Sequence, residues 1–323
     1  MEAVQENQVV YQQDVFDLKK QTGEKFVPKF IKDHDLDTLK NKYKNLVERS
    51  KSKNGKSVII SICSEKGGAG KSTIACCVSQ LLANMGFAVL LIDTDNIRSS
   101  STVMEARKTL LSEYISESQE EGVSEEEVVE VKNNLDPIVD SRGIHPNAFS
   151  SSVLSDLAQK CEYDFIVVDT AGRKDEQQAN FDLKKLHQHD VPNITTAYLS
   201  NAIILPMKPT ILEMTAMVPN YIPLHQFITG LHLSKKAVLN TQYRILPSMT
   251  ERDGSGNREL ENFKEELGFN FYDVGIRRSD KIASTVSDKT IDTLFTTKVA
   301  GGVIKSFIEV ADQLADDIEN SLN

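Results

Sequence analysis

The chain has 323 residues, 40% of them hydrophobic, and a formal net charge of −10. That length fits one large α/β domain with appendages or two small domains, and the acidity excludes a generic polyanion binder, leaving any nucleic-acid contact to a local basic patch. No apolar run approaches the roughly 18 residues of a membrane helix, the N-terminus lacks a signal-peptide core, and Cys63, Cys76, Cys77 and Cys161 have no CxxC or histidine partner at metal spacing, which reads as reduced, buried thiols in a cytoplasmic protein.

Residues 1–56 are polar and helix-favouring, with Leu39, Tyr43 and Leu46 forming an amphipathic stripe. Between Lys40 and Lys56 seven basic residues face one acidic residue, Glu48. This segment reads as a solvated helix and tether, with Lys51–Gly55 as the linker, or as a basic arm for DNA or dimer contact. From Val58 an apolar, β-branched run feeds a glycine-rich turn (Ser-Glu-Lys-Gly-Gly-Ala-Gly-Lys-Ser-Thr, Ser64–Thr73) that opens a helix over Ser72–Met85, ended by Gly86. Phe87–Ile92 is a second strand delivering Asp93-Thr94-Asp95. Residues 113–136 are acidic and read as an exposed insertion. Further strands are expected at Asp164–Val168 before Asp169, at Ala202–Leu205 closed by Pro206, at Ala237–Leu239 ending at Asn240, and briefly at Phe271–Ile276. A final amphipathic helix covers 300–322. Short apolar strands alternating with helices predict an α/β, doubly wound, mostly parallel sheet with helices on both faces. Ligands of such sheets sit at the C-terminal strand ends.

The chemistry starts at the turn. A strand, a glycine-rich loop and Gly-Lys-Ser at a helix start form a phosphate-binding loop. The backbone N–H groups of Gly67, Gly68, Ala69, Gly70, Lys71, Ser72 and Thr73 would cradle phosphate oxygens. Lys71 would reach the β/γ-phosphates, and the Ser72 hydroxyl would hold Mg²⁺. The ordinary loop has glycine at position 65; here Glu65 stands there and Lys66 precedes the glycines. Asp169, after four apolar residues, is the second metal candidate, and Gly172 would offer its N–H to the γ-phosphate. Asp93 and Asp95 would share one side of a strand end. One would orient the metal's water shell, Asp93, and the other the attacking water, or both cap the strand. Asn240 would read the adenine edge or form a turn.

These residues resemble a family. Lys66-Gly-Gly-Ala-Gly-Lys-Ser72 is similar to the deviant Walker A pattern of ParA/MinD-type ATPases. Asp93-Thr-Asp95 resembles their A′ element and Phe165–Asp169 their Walker B strand. Leu199–Pro206 and Ile276–Ala283 resemble two later segments. The resemblance covers roughly residues 57–310 and is closest to partition ATPases. It departs from them after the A′ element, where Asp95-Asn96-Ile97 replaces the usual Asp-Pro-Gln. It implies an ATPase domain over 57–323 that uses ATP and Mg²⁺ in an ATP-sandwich homodimer. Lys66 would reach the partner's nucleotide in trans, and Asp95 would position water. The dimer would bind DNA without sequence preference until a centromere-binding, ParB-like protein stimulates hydrolysis. The DNA patch would use Arg277, Arg278 and Lys281, with Lys289, Lys298 and Lys305 beside it. The protein would be cytoplasmic and nucleoid-associated, without a stable membrane anchor. Positioning of a protein or membrane-associated cargo, and metabolic catalysis on the same fold, are the alternatives.

Overall fold

In the computed structural model, the described residues are 36–63, 68–120, 139–171, 190–211, 239–250, 255–280 and 301–323, with a few short stretches between them. They form a seven-stranded parallel sheet. In chain order the strands are β1 (Val58–Ile62), β2 (Val89–Asp93), β3 (Asp140–Gly143), β4 (Phe165–Asp169), β5 (Ala202–Met207), β6 (Gln242–Thr250) and β7 (Ile276–Arg277). Their order across the sheet is β3-β2-β4-β1-β5-β6-β7. The helices are α1 (Leu36–Asn54), α2 (Lys71–Asn84), α3 (Ser99–Glu120), α4 (Ser151–Gln159), α5 (Asp190–Leu199), α6 (Ser255–Leu267) and α7 (Gly301–Leu322). Among the described residues no helix is long and apolar enough to cross a membrane.

A sheet covered on both faces needs strands that are apolar throughout, and β1, β2, β4 and β5 are buried at every position. Alternation divides their side chains between two cores. Val58, Ile60 and Ile62 face α1, α2 and α7 with Leu91 and Val167. Ile59, Leu90, Ile92, Ile166 and Val168 face Leu154 and Ala158 of α4. Ile203, Leu205 and Ile245 continue that second face beneath Ala197 of α5 and Leu260 of α6. The helix opened by the glycine-rich turn begins at Lys71 and ends at Asn84, with Gly86 in a left-handed conformation just beyond it.

The strand expected at Ala237–Leu239 lies mostly outside the described residues; β6 starts at Gln242, after Asn240. Pro206 does not close β5 but sits inside it, opposite Leu246. β3, with the sequence Asp-Ser-Arg-Gly, is an edge strand beside β2. Phe271 makes only an isolated bridge to Ile245, and β7 is confined to Ile276–Arg277. The acidic stretch is helical as far as Glu120, where α3 ends; most of 121–138 lies outside the described residues.

The basic N-terminal segment is not a tether over its described length. Lys51–Asn54 form the last turn of α1, and Gly55 follows at φ +60°. Leu39, Tyr43, Leu46 and Val47 are buried in the main core. The Tyr43 hydroxyl donates to the Ala311 carbonyl at 2.7 Å, and its ring meets Phe165 edge-on at 5.6 Å. Several cations of α1 are engaged within the chain. Lys42 pairs with Asp312 and Asp316, Arg49 with Glu319, and Lys51 with Asp164. Partly exposed pairs of this kind contribute about 0–1 kcal/mol each. Each buried apolar side chain contributes roughly 1.5–3 kcal/mol, so burial decides where α1 sits and the charges decide its register on α7.

Candidate active site

The C-terminal ends of β1, β4 and β2 lie side by side. Ile62 is in register with Asp169, and Asp169 with Asp93. Gly68 and Gly70 of the β1–α2 turn have φ of +81° and +87°, a backbone region that costs other L-residues roughly 1–2 kcal/mol. Gly70 caps α2 without a side chain, and no acidic residue occupies the first turn. The N–H groups at the start of a fourteen-residue helix are thereby left without a capping carboxylate, which suits an anion. Ala69 is buried, and its carbonyl accepts a hydrogen bond from Ser248 Oγ at 2.8 Å, tying the loop to β6. Ser72 and Thr73 are half-buried in the first turn. Lys66, Gly67 and Gly172 lie outside the described residues.

Lys71 is 7% exposed. Burial lowers its pKa, and the charges of Asp169 and Asp95 and the Cys63 thiol oppose that shift. The buried ammonium thus faces the two carboxylates expected around a nucleotide.

Asp169 is 1% exposed. Burial pushes its carboxyl up to about 7, the neighbouring Asp93 adds to the shift, and Ser72, Ser100 and Lys71 pull against it. Ser100 Oγ lies 2.8 Å from Asp169 Oδ2, while Asp169 Oδ1 is buried and has no hydrogen-bond partner among the described residues. An unsatisfied buried carboxylate oxygen beside the Ser72 hydroxyl fits a hard divalent cation. Asp169 and Ser72 are the residues that would hold Mg²⁺, which would supply charge neutralisation to phosphate oxygens when bound.

Asp93 does something else. Its Oδ2 accepts from the Ser100 amide (2.9 Å), the Ser101 amide (3.0 Å) and Ser100 Oγ (2.9 Å), and its Oδ1 accepts from the Asp95 amide (2.9 Å). Three of these donors crowd Oδ2 and one reaches Oδ1, which keeps an acceptor position. Asp93 thus caps α3 through Oδ2, and its expected role toward metal-bound water rests on Oδ1. Asp95 lies in the turn after β2, half-buried, and among the described residues its Oδ1 accepts from the Ile97 amide at 3.1 Å. That carboxylate keeps acceptor capacity and sits close enough to Lys71 to raise it.

Ser100 bridges the two buried carboxylates, and sequence reasoning missed it. Its signal was the Ser99-Ser100-Ser101 cluster ahead of α3, the composition of a helix start. One hydroxyl carries one proton, so it serves both carboxylates at once only if one of them is protonated. That agrees with the raised Asp169. Ser248 was missed because β6 was missed.

Asn240 is corrected. It precedes β6, whose first residue pairs with Ala202 at the start of β5, so it lies at the N-terminal edge of the sheet. Its Nδ2 lies 3.4 Å from the Asn320 carbonyl of α7. A side chain at the opposite end of the strands cannot read a base held at their C-terminal ends. Arg277 and Arg278 are exposed at and just after β7, and Lys305 lies 3.6 Å from Glu309. Lys281, Lys289 and Lys298 lie outside the described residues. The buried thiols are kept neutral, with Cys63 pushed up to about 11 and Cys77 up to about 12 by burial.

A pH dependence follows from Asp169. Its carboxyl titrates from an ordinary value of 3.8 when unfolded and from about 7 when folded. Between those values the folded chain holds the extra proton, so stability falls as pH rises through the window. Asp169→Asn removes this loss. In urea titrations without nucleotide, the variant should gain on the parent progressively from about pH 4 to pH 7, by on the order of 2–4 kcal/mol at the upper end. Parallel curves for the two proteins would show that the carboxyl is not perturbed.

The family model that describes the CobQ/CobB/MinD/ParA nucleotide binding domain matches residues 60–319. No curated protein is similar enough in sequence to match the chain. Solved structures share the fold. Cobyrinic acid a,c-diamide synthase from Mycobacterium smegmatis, with bound ATP analog and magnesium, is 15% identical with a TM-score of 0.50 over 80% of this chain and 94% of that one. The MinD cell division protein of Aquifex aeolicus is 16% identical with a TM-score of 0.50 over 80% and 98%. MinD of Pyrococcus horikoshii, complexed with Mg-ADP, is 18% identical with a TM-score of 0.49 over 80% and 96%. Identities this low speak to the fold alone. The family match spans most of the chain, and the protein belongs to the CobQ/CobB/MinD/ParA nucleotide-binding family as a nucleotide-binding ATPase domain.

Proposed function

We propose that the protein is an ATP-dependent partition ATPase. Mg²⁺ and ATP join two copies into a nucleotide-sandwich homodimer, the dimer binds DNA without sequence preference, and a centromere-binding, ParB-like protein stimulates hydrolysis and release. The observation that carries this reading is the pair of lysines in one loop, Lys66 and Lys71. Lys71 is drawn into its own pocket at the start of α2. A second loop cation has a chemical purpose if it crosses to a partner's phosphates, because charge stabilisation then exists only in the dimer. Asp95, with open acceptor positions near Lys71, is the residue we assign to water positioning.

Two observations shape the rest. Lys42, Arg49 and Lys51 of α1 are engaged with α7 and Asp164, whereas Arg277 and Arg278 are exposed, which favours that pair as the DNA patch. The apolar face of α7, from Val303 to Leu322, is buried in the core. A membrane-positioning role would require that face at a lipid surface, so partition is preferred.

The test is sedimentation with Mg²⁺ and ATP, followed by a DNA mobility shift on the same samples. The parent should dimerise with ATP and shift DNA, with affinity falling steeply as salt rises. Lys66→Ala should remain monomeric while still binding ATP. Arg277→Glu with Arg278→Glu should dimerise and hydrolyse ATP but lose the shift. A monomeric parent in saturating ATP, or a DNA shift indifferent to nucleotide, contradicts the reading.

A further inference from the structure

The strand next to β1 also ends at the site, and its first residue beyond the sheet is a lysine. β5 pairs with β1 through Ile60–Ala202, Ser61–Ile203 and Ile62–Ile204, and the Cys63 amide continues the ladder to the Ile204 carbonyl at 2.9 Å. Lys208 follows Met207, the last residue of β5. Its backbone is held in a tight turn, with its carbonyl accepting from the Thr210 amide at 2.8 Å. Its side chain reaches back over the phosphate loop. A methyl group placed on Gly68 would stand 3.8 Å from Lys208 Nζ.

We propose that Lys208 is a phosphate-contacting residue of the nucleotide site, a cation supplied in cis by β5. The inference rests on the reading of the β1–α2 turn as the nucleotide's phosphate loop.

Three observations support it. The ammonium stands beside a glycine whose backbone is left-handed and whose missing side chain leaves room for an anion. Lys208 is half-buried, yet among the described residues its Nζ has no hydrogen-bond or ion-pair partner. An ammonium carries three donors, and one held near backbone N–H groups has no reason to stay there until an acceptor arrives. Among the described residues no ion pair joins Lys208 Nζ to Asp93, Asp95 or Asp169, and Asp93 Oδ2 and Asp169 Oδ2 accept from the start of α3. A nucleotide polyphosphate, with several anionic oxygens at the loop, is the acceptor that matches this placement.

The position differs in kind from the two loop lysines. Lys71 belongs to the helix start and Lys66 to the loop itself, so both move with the turn that binds phosphate. Lys208 is anchored to a different strand. It would therefore clamp the bound phosphates to β5 and make loop order and nucleotide binding depend on each other.

The test is calorimetric titration of Mg–ATP into the full chain carrying Lys208→Met or Lys208→Arg, beside the parent and Lys71→Ala. The loss of one charge-assisted contact should weaken ATP binding about tenfold in Lys208→Met. Lys208→Arg, which keeps the charge, should stay within about threefold of the parent. Melting without nucleotide should be the same in all Lys208 variants, since no contact among the described residues is lost. ATP binding by Lys208→Met at parental affinity would overturn the assignment. So would equal weakening by Met and Arg, which would indicate shape and not charge. Failure of the parent itself to bind ATP would overturn the phosphate-loop reading, a result distinguishable from the other two.

Discussion

Lys71→Ala should abolish ATP binding at concentrations that saturate the parent and lower ATP hydrolysis by a hundredfold or more. The ammonium sits 7% exposed at the first residue of α2, below a loop of left-handed glycines. In that position it is the buried positive charge nearest to where the phosphates would lie. Removing a preorganised cation from a water-poor site costs about 10²–10³ in rate where such groups stabilise developing charge. The fold should survive the change. Burial outweighs the attraction of Asp169 and Asp95 for the ammonium, so truncating it removes a cost to the fold along with those contacts, and melting separates any folding loss from the loss of phosphate binding. Lys71→Arg should not rescue, because a planar guanidinium does not fit a pocket built around a compact ammonium. Equilibrium binding of a fluorescent ATP analog, with melting as the control, decides the matter. Binding retained in Lys71→Ala would move the phosphate site elsewhere.

Tyr43→Ala should cost about 3–5 kcal/mol, the range for emptying a fully buried aromatic position. Tyr43 is wholly buried 15 residues before β1 begins. Its ring contacts Phe87 and Phe165, and its hydroxyl donates to Ala311 in α7. Three parts of the chain therefore meet on one side chain. Domains of this kind have only about 5–15 kcal/mol in total, so the melting temperature should fall by on the order of 10 °C. Tyr43→Phe keeps the ring and should cost about 1 kcal/mol for the lost hydrogen bond. A melting temperature unchanged in Tyr43→Ala would show that α1 is an appendage and not a part of the core.

The site was legible in the sequence where a motif follows an apolar strand. Val58–Ile62, Val89–Asp93 and Phe165–Asp169 are β-branched or leucine-rich runs too short for helices, and each delivers its polar residue at the carboxyl end. What lay outside that pattern was not readable. β6 has apolar residues only at its centre and carries Pro247, so the stretch looks like a loop, while Ala237–Leu239 looks like a strand. That shift of a few residues misplaced Asn240 by the length of the sheet. β3 has no strand-forming residue at all and exists because its backbone completes the edge of β2. The division of labour between Asp93 and Asp95 also needed coordinates. Two carboxylates two residues apart look equivalent, and only the start of α3 shows that Asp93 also caps a helix through Oδ2. For the same reason the seven cations of residues 40–56 suggested a binding arm, because the acidic partners of Lys42 and Arg49 lie some 270 residues away on α7 and that of Lys51 is Asp164.

The central claim is that the C-terminal ends of β1 and β4 build a Mg–ATP site from the phosphate loop, Lys71, Ser72 and Asp169. Its most direct test is calorimetric titration of ATP into the full chain with Mg²⁺ and again with EDTA, in the parent and in Asp169→Asn. The account predicts one site per chain in the parent, weakened at least tenfold on removal of the metal, and a much smaller metal effect in Asp169→Asn. No ATP binding, or binding equally strong with and without Mg²⁺ in the parent, would contradict it.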